Sequence, residues 1–170
     1  MSDVTIRRAT PDDAATVHEL ICELAVYERE PDAVRVTPEV LAAQMRSDRP
    51  PFECLLADRR DGPGRAAAVG FALYCTTYST WVGKSGIWLE DLFVREEARG
   101  RGIGTALLRA VAAVAVERGC ARLGFVVLDW NKPAIAFYES LGGRQMDDWT
   151  VFRFADDAIV RLASPSPRSR

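Results

Sequence analysis

The segment from Trp88 to Thr105 constrains the fold of this chain more than any other. Trp88-Leu-Glu-Asp-Leu-Phe-Val94 is an apolar strand pattern carrying two adjacent carboxylates, Glu90 and Asp91. It runs into Arg99-Gly-Arg-Gly-Ile-Gly104, an arginine-flanked glycine turn. That turn opens an amphipathic helix in which Ile103, Leu107, Ala110, Val111 and Val114 form one apolar stripe. Helix starts leave several N–H groups without internal partners, and the helix dipole adds positive potential there. A glycine-thinned start is therefore a seat for a phosphorylated ligand, with acid/base groups just upstream.

The glycine spacing narrows the ligand. A nucleotide P-loop needs Gly-x-x-x-x-Gly-Lys-Ser/Thr, and no lysine lies near Gly104. A dinucleotide fingerprint needs Gly-x-Gly-x-x-Gly, and the third glycine falls on Thr105. The residues match Arg/Gln-x-x-Gly-x-Gly/Ala instead. Taken alone, this pattern is equally served by a flexible turn before a helix.

The remaining signals place this segment in a mixed α/β order. A short strand spans Val4 to Arg8. Thr10-Pro11-Asp12-Asp13 starts a helix that runs to about Tyr27, and Thr37-Pro38-Glu39 starts a second ending near Arg46. Phe52 to Arg60 and Ala66 to Thr77 read as strands joined by a hairpin turn at Asp61-Gly-Pro-Gly64, followed by a strand from Gly86 to Val94. Gly119 closes the long helix. Arg122 to Leu128 is a short apolar strand, and Asn131 caps a helix through Leu141 that ends at Gly142-Gly143. Two last strands are expected at Arg144 to Met146 and Thr150 to Phe154. Residues 163–170 lack apolar anchors and are expected to be disordered. The expectation is one domain over residues 1–162.

Charge and cysteine usage exclude several classes. The net charge is −2, so no general attraction to nucleic acid or anionic membrane is expected. Cys22, Cys54, Cys75 and Cys120 are widely spaced and His18 is the single histidine, so no metal site is expected. No signal peptide and no apolar run of membrane-spanning length is found. A soluble protein of the cytoplasm, with reduced thiols, is the expectation.

The order of elements, with the glycine turn on the third helix, resembles the GNAT acetyltransferases. Tyr27-Glu28, Phe71-Ala-Leu-Tyr74, Trp81-Val-Gly-Lys84, Leu89-Glu-Asp91, Phe93-Val94 and Asn131-Lys-Pro-Ala-Ile-Ala-Phe-Tyr138 resemble its diamine acetyltransferase branch. That branch includes spermidine/spermine acetyltransferases and their thialysine-acetylating relatives. The likeness runs over roughly residues 3 to 155. It implies a mixed, mostly antiparallel sheet of about six to seven strands flanked by about four helices. It further implies acetyl-CoA as co-substrate, a small-molecule amine as acceptor and a homodimer.

Roles follow from that resemblance. Backbone N–H groups of Gly100, Arg101, Gly102, Ile103, Gly104 and Thr105 would hold the pyrophosphate, with charge from Arg99 and Arg101. Leu92, Phe93 and Val94 would offer strand-edge backbone to the pantetheine arm, and Asn131 would contact the same arm. Tyr27, Glu28, Glu90 and Asp91 would face the amine.

The chemistry sets its own demands. An alkyl amine with a pKa near ~10.4 is neutral in about one molecule in a thousand at pH 7, a cost on the order of 4 kcal/mol. Glu90 is the candidate base, directly or through water. Asp91, its strand neighbour, faces the opposite side in regular geometry, and both can serve one pocket only where a bulge turns one of them. Collapse of the tetrahedral intermediate expels a thiolate, for which Tyr138 is the candidate acid. Each has a plainer alternative: an acid paired with an arginine, a core tyrosine, an asparagine that only caps its helix. Ser79-Thr80 stand where the diamine enzymes carry an acid, which leaves thialysine-like or other small amines open. Protein lysines, antibiotics and a non-catalytic acyl-CoA-binding module are the alternative readings.

Overall fold

The computed structural model describes residues 3–60 and 66–164. The expected hairpin turn at 61–64 and most of the expected disordered tail, 165–170, lie outside the described residues. The chain divides into two compact units, Met1–Val126 and Val127–Arg170.

The first unit is a five-stranded sheet in the order β1-β2-β3-β4-β5. Its strands are β1 (Asp3–Arg8), β2 (Glu53–Arg60), β3 (Ala67–Ser79), β4 (Lys84–Val94) and β5 (Leu123–Gly124). The first four pair antiparallel and β5 joins parallel to β4. Between β1 and β2 come α1 (Ala14–Tyr27) and α2 (Pro38–Met45); α3 (Ile103–Glu117) carries the crossover from β4 to β5. Local chemistry sets the helix ends. The Thr37 side chain accepts from the Val40 N–H at the start of α2. Gly119, at φ 63°, closes α3 while the Cys120 N–H returns to the Ala115 carbonyl.

Both faces of the sheet are covered, which explains the unbroken apolar run in the middle of β3. One face packs Leu55, Ala57, Ala72, Tyr74, Ile87 and Leu89 against Ile103, Leu107 and Val111 of α3. The other packs Cys54, Leu56, Phe71, Leu73 and Phe93 against Val17, Leu20 and Leu24 of α1 and Leu41 of α2. Polar anchors tie the edges. Arg7 forks onto Asp13 with two bonds of 2.8 Å while its Nε reaches Asp58 at 2.6 Å. This holds the Asp13 carboxyl far below the usual range.

The second unit contains α4 (Lys132–Ser140) and α5 (Asp157–Ala163). It departs from expectation. The two strands expected within residues 144–154 are absent, because no described strand offers that stretch a ladder, and Trp149, Phe152 and Phe154 lie exposed. A strand without a partner leaves its N–H and C=O groups to water. Beyond that stretch the chain forms α5, whose last residue is Ala163. The expected strand from 122 to 128 pairs only at Leu123 and Gly124. The class expected from sequence stands: a mixed, mostly antiparallel sheet with flanking helices. No described helix is long and apolar enough to cross a membrane.

Candidate active site

The register of β3 against β4 decides where the two carboxylates go. Leu73 pairs with Asp91 and Tyr74 with Leu89, so Glu90 is an extra residue with no partner opposite. This is a β-bulge. Its effect on side-chain direction can be read from the packing. Ile87 and Leu89 point to the α3 face, and so do Leu92 and Val94, while Phe93 points to the α1 face. Positions 89 and 92 can share a face only if alternation slips by one between them. Glu90 and Asp91 therefore both project from the face covered by α1.

A third carboxylate joins them. Glu28, the C-cap of α1, is close enough to Asp91 to repel its charge. Burial first, then the charges of Glu90 and Glu28, push Asp91 up to about 7. Burial also raises Glu28 above its ordinary value. Trp88, two residues before Glu90, donates its indole N–H to Glu90 Oε2 at 3.0 Å. Cys54, on the same face, is pushed up to about 12, chiefly by burial, and stays a thiol. This face thus offers carboxylates to a cation.

The glycine turn lies at the other end of β4. Gly100 and Gly102 adopt left-handed φ angles of 72° and 77°, which favour glycine. A Cβ at either would meet nothing within 4 Å, so backbone conformation rather than crowding selects glycine there. Gly102 is the N-cap of α3 and brings no side chain to compete for the first-turn N–H groups. The turn fits an anionic group such as a diphosphate. Arg99 is fixed beside it: its Nε donates to the Val94 carbonyl at 2.9 Å. Its guanidinium carbon lies 4.7 Å from the Tyr27 ring centroid and 5.7 Å from that of Phe93. Arg101 is exposed. An open groove of about 520 Å³ runs alongside, lined in part by Tyr27, Phe93, Arg95 and Arg99.

Between these two features β4 loses a neighbour. Its ladder with β5 spans only Ile87–Leu123 and Trp88–Gly124. The edge of β4 beyond Trp88, including Leu92, Phe93 and Val94, has no described ladder partner on the β5 side. Unpaired strand edges offer N–H and C=O groups to an extended ligand.

In the second unit, Asn131 is buried and its side chain accepts from the Ala134 N–H at 3.3 Å, capping α4. Tyr138 is half-buried on the same helix, its ring edge-on to Phe137 at 5.1 Å. In the first unit the structure draws Tyr27 to Arg99 and Phe93, and Glu28 to Asp91 and Glu90. Trp88, to which the sequence analysis gave no role, joins the site. Its signal was its position two residues before Glu90, which puts both side chains on one face of a strand.

A sheet with a carboxylate bulge on one strand and an anion seat at the following helix suits group transfer from a phosphorylated carrier to a cationic acceptor. The model of the acetyltransferase (GNAT) family matches residues 15–143, and the chain belongs to that family. It is 40% identical over 169 residues to thialysine N-epsilon-acetyltransferase of Sus scrofa, covering 96% of this chain and 99% of that protein. It is 34% identical over 163 residues to spermidine/spermine N(1)-acetyltransferase-like protein 1 of Homo sapiens, covering 93% of this chain but 23% of that protein. Among solved structures, an integron cassette protein from the mobile metagenome of V. cholerae superposes with a TM-score of 0.78 at 25% identity. That match covers 95% of this chain and 98% of the other. The chain is an N-acetyltransferase of a family that uses acetyl-CoA.

Proposed function

We propose that this enzyme moves an acetyl group from acetyl-CoA directly to a primary amine of a small molecule, a thialysine-like amine or a polyamine. The observation that carries the reading is the bulge at Glu90. It turns Glu90 and Asp91 to one face beside Glu28, an acidic patch suited to an alkylammonium ion. The relatives named for thialysine and spermidine/spermine acetylation support the same substrate class.

In this reading Glu90 takes the ammonium proton, directly or through water, and the freed nitrogen attacks the acetyl carbonyl. The C–N bond forms, the C–S bond breaks, Tyr138 gives its phenolic proton to the departing thiolate, and the surplus proton on the new amide nitrogen passes through water to restore the phenol. N–H groups from Gly100 to Thr105 hold the pyrophosphate with Arg99 and Arg101. The free edge at Leu92, Phe93 and Val94 receives the pantetheine arm, and Asn131 contacts it from α4. Tyr27, Glu28 and Asp91 line the amine side. We further infer a homodimer, supported by the exposure of Trp149, Phe152, Phe154 and Leu162. A cytoplasmic setting is supported by four free cysteines.

The test is CoA-thiol release from acetyl-CoA by the parent enzyme and Tyr138→Phe, with thialysine, lysine, putrescine, spermidine and aminoglycosides. Turnover on a small amine that falls by about 10²-fold or more in the variant is the expected result. Turnover confined to aminoglycosides would move the acceptor to antibiotics. Acetyl-CoA binding without turnover on any amine would leave a binding module and remove the catalytic roles.

A further inference from the structure

Glu90 is the exposed extra residue of a bulge, re-aimed to the α1 face but without a cross-strand partner to hold it. A long exposed carboxylate in that position has rotamer freedom to lose before it can act at one point. Trp88 supplies the restraint. Its indole is itself fixed: Trp88 pairs with Gly124 in the last rung of the β4–β5 ladder. Its six-membered ring lies over Gly124, where an added Cβ would stand 3.7 Å from Cε3 and Cζ3. From this footing Nε1 reaches Glu90 Oε2 at 3.0 Å.

We propose that Trp88 is the positioning residue for Glu90, an indole seated on Gly124 that keeps the Glu90 carboxylate against Asp91 on the α1 face. The inference rests on the amine-acetyltransferase reading for its consequence but not for its geometry. Held there, the Glu90 charge adds to the burial that raises Asp91. Titratable groups coupled to the pair include Glu28 from α1, Cys54 from β2 and Cys75 from β3. None of them is a cation that would neutralise it.

The experiment replaces Trp88 by Phe, which keeps a ring over Gly124 and deletes the donor. Carboxyl 13C NMR titration of Asp91 should show its midpoint falling by about half a unit or more as Glu90 swings free. The same substitution in a Glu90→Gln background should move it no further. On the amine the parent acetylates, kcat should fall roughly tenfold or more with KM for acetyl-CoA unchanged. An unmoved Asp91 midpoint, or an equal kcat loss in the Glu90→Gln background, overturns the proposal. If Trp88→Phe does not fold, hydrogen exchange of the Trp88 indole N–H decides: it should speed up in Glu90→Ala, which removes the acceptor, and unchanged exchange refutes the hydrogen bond. A parent enzyme inactive on every amine would remove the proposed function, while the titration and exchange would still decide whether Trp88 holds Glu90.

Discussion

Arg99 lies over the Tyr27 ring, its guanidinium carbon 4.7 Å from the centroid, while its Nε donates to the Val94 carbonyl at 2.9 Å. This contact joins the end of α1 to the glycine turn. It anchors the exposed Arg99 guanidinium beside the start of α3.

Replacing Arg99 by Ala removes a charge beside the glycine turn but touches none of the acid/base candidates. The expected outcome is a rise in KM for acetyl-CoA of about three- to thirtyfold, corresponding to roughly 1–2 kcal/mol, with kcat changed little. Steady-state kinetics with acetyl-CoA varied at saturating amine would check this. An unchanged KM would mean that Arg99 only packs on Tyr27.

Asp91 makes stability depend on pH with an unusual sign. Its folded-state value is about 7, above the ordinary 3.8, so between those limits the folded chain binds more protons than the unfolded one. Its contribution is therefore present at low pH and lost as pH rises through 7, by a total on the order of 4 kcal/mol. Asp91→Asn should be more stable than the parent at pH 8, with the difference shrinking toward pH 5. Chemical denaturation at the two pH values measures it, and a variant no more stable at pH 8 would contradict the buried, repelled carboxylate. Asp13 has the opposite sign: held low by Arg7, it stabilises at neutral pH and loses that contribution in acid.

Gly70 is required by contact and not by conformation. A Cβ there would stand 2.6 Å from the Phe93 carbonyl oxygen and 3.2 Å from the Val94 Cα. Because that neighbour is backbone in the strand next to the site, Gly70→Ala must push β3 and β4 apart. A loss of about 1–3 kcal/mol in unfolding free energy is expected, with weakened acetyl-CoA binding. Thermal unfolding would show it, and a melting temperature within a degree of the parent would argue that the strands relax freely.

Much of this was legible in residue order. The helix starts at Thr10-Pro11 and Thr37-Pro38, the stop at Gly119 and the cap at Asn131 are local events, set by side chains within a few residues of the backbone groups they satisfy. They appear where the spacing places them. The glycine turn was equally legible, because left-handed φ angles at 100 and 102 select glycine regardless of what surrounds them. The expected strands within 144–154 failed for the complementary reason. A strand is completed by a partner, and alternation in the sequence does not supply one.

By itself, then, the sequence determined the order of strands and helices in the first unit, the glycine turn and the identity of the acidic pair, all of them matters of nearest neighbours. Only the tertiary structure decided that Glu90 and Asp91 share a face. Regular alternation sends adjacent residues to opposite sides, and the slip of β4 against β3 that reverses it is a property of two strands in register. The parallel pairing of β4 with β5 set Trp88 on Gly124, within reach of Glu90. Those contacts arise from pairing across the sheet, over separations that no local pattern encodes.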